Sequence, residues 1–188
     1  MKLSILLLSV LLLPGSACVD HYKAIVYETG DAIDSLHGVA VYYNGIDYTQ
    51  SYGTHYSDDG YYYGKKWQCV EFVKRYYYDY LHHKFPDGYG NANSFFDRQL
   101  KHGELNKKRN LIQFENGNDE KPMLNDLVVF DGKFGHVAIV SKVGENYIEI
   151  TQQNIGAKTR QELPLKKDGK NYIVGKKNHL LGWLRIKE

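Results

Sequence analysis

The chain has 188 residues, enough for one domain with a full hydrophobic core once any processed segment is set aside. A formal net charge of +2 is too small to argue for a nucleic-acid or polyanion partner, and two cysteines, Cys18 and Cys69, exclude a disulfide framework. Seventeen tyrosines, many in runs such as Tyr61-Tyr62-Tyr63 and Tyr76-Tyr77-Tyr78, suit a half-exposed groove as well as core packing.

Lys2, the apolar run Leu3 to Leu13 and Pro14-Gly15-Ser16-Ala17 read as a signal peptide over residues 1–17. The run is too short to span a bilayer and no later segment comes closer, which excludes a polytopic membrane protein. Cys18 follows directly, so lipid attachment there and ordinary cleavage with release both stay open. The expectation is an exported protein, periplasmic, anchored as a lipoprotein, or secreted, whose mature chain 18–188 is one domain and a monomer. An unpaired Cys69 in an oxidising compartment is a liability unless it is buried or used.

Gly38 to Tyr43 is β-prone and ends on the turn signal Asn44-Gly45. Asp47 to Gly64, rich in Tyr, Ser, Asp and Gly without periodicity, reads as a loop bordering a cleft. Gln68 to Leu81 contains no Gly or Pro, and Val70, Val73, Tyr77 and Tyr80 recur at helical spacing. Pro86, Gly88 and Gly90 end any continuation, and Asn93 to Leu100 is a candidate second, shorter helix. Lys107-Lys108-Arg109 and Asn116 to Asp119 read as solvated loop. Strands follow at Leu127 to Phe130, His136 to Val143, Tyr147 to Gln153, Tyr172 to Val174 and Leu181 to Ile186, with turns at Asp131-Gly132 and Gly144-Glu145-Asn146. A helix-rich first half followed by an antiparallel meander predicts an α+β domain.

Cys69 falls at the start of the helix, where unpaired backbone N–H groups favour a thiolate and point at the oxyanion of a tetrahedral intermediate. The competing reading is a small apolar residue on a buried face. His136 opens a strand after Gly135 and is a candidate base. A three-residue loop 144–146 would place His136 opposite Asn154, with Gln152 diagonal and on the same face, and Glu149 on the other face. His82-His83 read as surface residues past the helix end, and without H-E-x-x-H or C-x-x-C the chain offers little support for a metal or other cofactor.

Gly64-Lys65-Lys66-Trp67-Gln68-Cys69-Val70-Glu71-Phe72 and Gly135-His136-Val137-Ala138-Ile139-Val140, with Gly38 to Tyr42, Gln153-Asn154 and Leu181 to Leu184 in support, resemble the cysteine- and histidine-dependent amidohydrolase/peptidase family known as CHAP. Within it the likeness is to the glutathionylspermidine amidase branch. The resemblance implies a papain-like (NlpC/P60-like) fold in which a helix carrying the cysteine packs on an antiparallel sheet carrying the histidine. It also implies Cys69 as nucleophile, His136 as general base and acid, Asn154 near the imidazole, and Gln68 and Trp67 at the oxyanion site or groove. One departure stands out: Gln152 replaces the family's usual glutamate, and a glutamine orients an imidazole without supplying charge. The activity expected is hydrolysis of a peptidoglycan peptide or amide bond, with a glutathione–polyamine conjugate or a catalytically silent binding module as alternatives.

Overall fold

The structure is a computed structural model that describes residues 26–176 and 179–187. The signal-like segment and Cys18 lie outside the described residues. In chain order come β1 (Ala32–Leu36), β2 (Val39–Tyr42), β3 (Thr54–Tyr56), β4 (Tyr62–Lys65), α1 (Cys69–Asp79) and a short 3-10 turn (Ala92–Phe95). They are followed by β5 (Glu104–Asn106), β6 (Leu111–Glu115), β7 (Leu127–Phe130), β8 (His136–Val143), β9 (Tyr147–Thr151), β10 (Arg160–Asp168), β11 (Asn171–Val174) and β12 (Leu180–Ile186). The class is α+β, with one α-helix among the described residues.

β5 to β12 form an antiparallel sheet in the order β11-β10-β9-β8-β7-β12-β6-β5, while β1-β2 and β3-β4 are separate hairpins. Period-2 alternation divides β7 and β8 between two cores. Leu127, Val129, Val137 and Ile139 face one cluster with Phe72, Val73, Tyr76 and Tyr77 of α1. Val128, Phe130, Ala138 and Val140 face the other, with Ile148, Ile150, Leu163, Val174 and Trp183. These strands read as continuous apolar runs because both faces are covered. Fully burying a side chain such as Phe72 or Val140 contributes roughly 1.5–3 kcal/mol.

The second cluster lies inside a curl of the sheet. Beyond β6, Asn118 bridges to Tyr172 of β11, and the Asn116 side chain donates to the carbonyls of Val174 (2.9 Å) and Leu180 (3.1 Å) while accepting the Val174 N–H (2.8 Å). The predicted solvated loop 116–119 is therefore a clasp, with Asn116 buried.

Other expectations are corrected too. Residues 47–64 include the β3-β4 hairpin, turning at Gly60; Tyr-rich strands of three and four residues are too short to show a period. The second helix shrinks to the 3-10 turn. Arg109 is buried although Lys107 and Lys108 are exposed. Its guanidinium lies 3.8 Å over the Phe95 ring and donates to the carbonyls of Asp87, Tyr89 (3.2 Å) and Ser94 (3.1 Å), which replace its lost hydration. His82 is exposed as expected, but His83 is half-buried and meets the Arg109 carbonyl at 2.9 Å. β10 escaped the sequence reading because Pro164 sits inside it. The proline is tolerated where β10 changes partners: its pairing with β9 ends at Pro164 and its pairing with β11 begins at Leu165.

Candidate active site

A single cleft of about 980 Å³ is lined by Gln68, Cys69, His136, Gln152 and Asn154, together with Tyr48, Lys65, Tyr89, Lys133, Phe134, Ile155 and His179. Cys69 is the first residue of α1, preceded by Gln68 in extended conformation. Phe72, Val73, Tyr76 and Tyr77 form the buried stripe that presses α1 onto the sheet, so the helix N-terminus is fixed against the start of β8. Backbone N–H groups of Val137, Val70 and Cys69 itself turn toward the sulfur. Gly135 sets the entry to β8: its φ is +70°, and a Cβ there would lie 2.6 Å from the Asn93 nitrogen and 2.7 Å from the Phe130 oxygen. Only glycine lets the chain pass there and still begin β8 at His136.

The expected juxtaposition of His136 and Gln152 is present, reached by a different route. The connection between β8 and β9 is one residue longer, with Val143 paired to Ile148, and a bulge between Val140 and Lys142 restores the count, so that Ile139 faces Thr151. His136 Nε2 then meets Gln152 Oε1 at 3.0 Å. The other end of the same amide, Nε2, donates to the Lys158 carbonyl at 3.1 Å. A backbone carbonyl only accepts, so it orients the amide with Oε1 toward the imidazole. That oxygen in turn requires the proton on His136 Nε2, which leaves the Nδ1 lone pair for the cleft. Glu149 takes no part, being held by Ser141 and Arg160.

Three other residues sit differently from expectation. β9 ends at Thr151, and Asn154, with φ at +70°, turns away from the ladder. Its amide bonds Asn44 (2.7 Å), the Tyr48 carbonyl (2.9 Å) and Gln68 Oε1 (2.8 Å), with no hydrogen bond to His136. The Gln68 amide nitrogen is committed to the Tyr48 and Gln50 carbonyls, so the groups free to meet an oxyanion are backbone N–H groups at the start of α1. Trp67 is outside the cleft, its ring 4.0 Å from that of Tyr42 and 5.3 Å from that of His55.

Behind Cys69 lies a network that the sequence reading did not single out. Glu71, fully buried, is bonded by His55 Nδ1 (2.7 Å), Arg75 Nε (2.6 Å) and Gln153 Nε2 (2.7 Å). Gln153 also donates to the Gln68 carbonyl (3.0 Å) and accepts from Tyr42 N–H (2.8 Å). The one available signal was Glu71 itself, a charge inside the apolar periodicity of a helix. Burial pushes the Glu71 carboxyl up, but the His55 hydrogen bond and the Arg75 charge outweigh it, and the net shift is downward.

Burial pushes the Cys69 thiol up against the opposing pull of the backbone N–H groups. It pushes His136 down to about 4, with the Gln152 hydrogen bond opposing and His179 adding to the fall. Both shifts favour a neutral thiol beside a neutral imidazole, and Gln152 adds no charge to reverse them. His179, a cleft residue whose ring lies 5.5 Å from that of Phe130, gave no signal in the sequence.

An α+β frame presents a thiol and an imidazole to one cleft, the two groups a cysteine-dependent hydrolase needs. Residues 56–154, more than half of the chain, match the CHAP domain, and the chain belongs to that family, whose fold is papain-like. The bifunctional glutathionylspermidine synthetase/amidase of Escherichia coli (strain K12) is 33% identical over 132 residues, covering 63% of this chain and 21% of that protein. The protein of the same name from Shigella flexneri matches equally, and the trypanothione synthetase of Crithidia fasciculata is 29% identical over 101 residues, 52% of this chain and 16% of that one. The chain thus spans about a fifth or less of the length of these relatives.

Proposed function

We propose that the protein is an exported cysteine amidohydrolase that cleaves an amide bond in peptidoglycan through a thioester. The observation that carries the catalytic part is the shared cleft, with Cys69 at a helix start and His136 held by Gln152 in the tautomer that leaves Nδ1 free. As substrate enters, Nδ1 accepts the thiol proton and the sulfur attacks the carbonyl carbon. The resulting oxyanion meets the Cys69 N–H. The C–N bond breaks as the imidazolium gives its proton to the leaving amine. Water, deprotonated by the imidazole, then splits the thioester, releasing the carboxylic acid and restoring the thiol.

Export and the peptidoglycan substrate rest on the signal-like segment 1–17, with Cys18 as the candidate lipid anchor. A second reading, hydrolysis of a small glutathione–polyamine conjugate, is favoured by what the bacterial relatives are named for. Incubating the protein and its Cys69→Ala variant with purified peptidoglycan and with glutathionylspermidine, and analysing products by mass spectrometry, separates the two. New muropeptide ends from the unmodified protein alone support the first reading, and released spermidine the second. Silence on both would make the cleft a binding site without turnover.

A further inference from the structure

The charges lining the cleft are unequal. Among the described residues its one carboxylate is Asp131, and Arg98 already holds it at 2.7 Å. Two lysines, Lys65 from β4 and Lys133 from the connection between β7 and β8, line different walls, and neither has a carboxylate within salt-bridge reach among the described residues. The positive end of α1 opens into the same space. The rims are apolar and open: Tyr48 is 64% exposed, Tyr89 70%, Phe134 44% and Ile155 42%. Low-dielectric walls around charge of one sign focus the field on whatever enters.

We propose that this cleft selects an anionic acyl donor, a peptide amide bearing free carboxylates, and rejects a polycationic leaving amine. The inference rests on Cys69 being the cleft nucleophile and narrows its substrate. A carboxylate entering beside Lys65 or Lys133 gains a free partner, whereas an ammonium finds none: Asp131 is occupied by Arg98, and the remaining charged lining groups are the two lysines. Acidic peptide stems fit this chemistry, and a polyamine tail does not.

The test uses two thiol reagents that differ in charge, 2-sulfonatoethyl and 2-(trimethylammonio)ethyl methanethiosulfonate. Labelling of Cys69 is followed by peptide mass spectrometry, which separates it from Cys18, and each rate is normalised to the neutral methyl reagent and to free cysteine. At low ionic strength the normalised anion-to-cation ratio is expected to rise about tenfold above that of free cysteine, to collapse on adding salt, and to invert in the double variant Lys65→Glu, Lys133→Glu. A ratio at or below that of free cysteine overturns the proposal. Titration calorimetry on the Cys69→Ala variant is the second measurement: tri-γ-glutamate is expected to bind and spermidine not to, and the reverse order also overturns it. Neither experiment needs turnover. Charge preference without hydrolysis would defeat the catalytic reading alone, and hydrolysis without charge preference would defeat this one alone.

Discussion

Gln152 joins the His136 imidazole to the Lys158 carbonyl, and both ends of its amide are used. A glutamate there would set a carboxylate oxygen against that carbonyl, so the surroundings suit the residue present. Burial, which raises the Cys69 thiol and lowers the His136 imidazole, favours the neutral pair over a standing thiolate–imidazolium pair. Three outcomes follow at this scale. Cys69→Ala or His136→Ala should lower kcat/KM by at least about 10³-fold, measured on whichever substrate is cleaved. With His136 held down to about 4, its neutral form persists to that pH, so the acid limb of kcat/KM should lie well below the usual histidine value of 6.5. Gln152→Glu should move that limb upward, because a carboxylate favours the imidazolium; an unmoved limb would show that residue 152 does not govern the base.

At the scale of elements, the cleft depends on pieces pinned by buried polar groups. The segment from Asp87 to Ser94 supplies one wall and is held through its carbonyls: by Arg109 at Asp87, Tyr89 and Ser94, and by Lys74 of α1 at Gly88 (3.3 Å). Burial lowers Lys74 to about 8, and the rings of Tyr62 and Tyr61, 4.7 and 5.0 Å away, take the place of a counter-ion. Across the molecule, Asn116 closes the curl of the sheet onto β11. Asn116→Ala strands both Val174 backbone groups and should reduce unfolding free energy by roughly 1–3 kcal/mol in urea titrations. A variant as stable as the parent would show that water replaces the clasp.

For the whole molecule, stability should fall in acid. His136 is depressed in the folded state, so its contribution is complete above about 6.5 and is lost as pH drops toward 4. Glu71 is also depressed, and its contribution is lost as pH falls below its ordinary value of 4.5. Asp126 works the other way: burial raises its pKa despite the bidentate bonds from Arg185 at 2.8 Å, so protonation relieves it. Urea midpoints measured from pH 7 to pH 4 should decline, and a flat profile would mean that His136 is not held as the structure places it.

The sequence by itself determined the central helix and the strands β7, β8 and β9, and singled out Cys69 and His136 as the candidate pair. A helical apolar spacing free of Gly and Pro from Cys69, a strand opening at Gly135-His136 and the apolar or alternating runs of β7, β8 and β9 were all legible, because the pattern of apolar residues along a chain reports which faces are buried. Only the tertiary structure decided the partners. Asn154 was expected beside the imidazole and instead fastens Gln68 and Asn44, since its left-handed backbone leaves the ladder. Arg109 and Asn116 looked like solvated loop residues and are buried, since carbonyls remote in sequence supply their hydrogen bonds. The register at His136 came from a longer connection offset by a bulge, two local errors that cancel. The Lys158 carbonyl, which sets the tautomer of His136, bears no side-chain signature, and nothing short of the folded backbone brings it to Gln152.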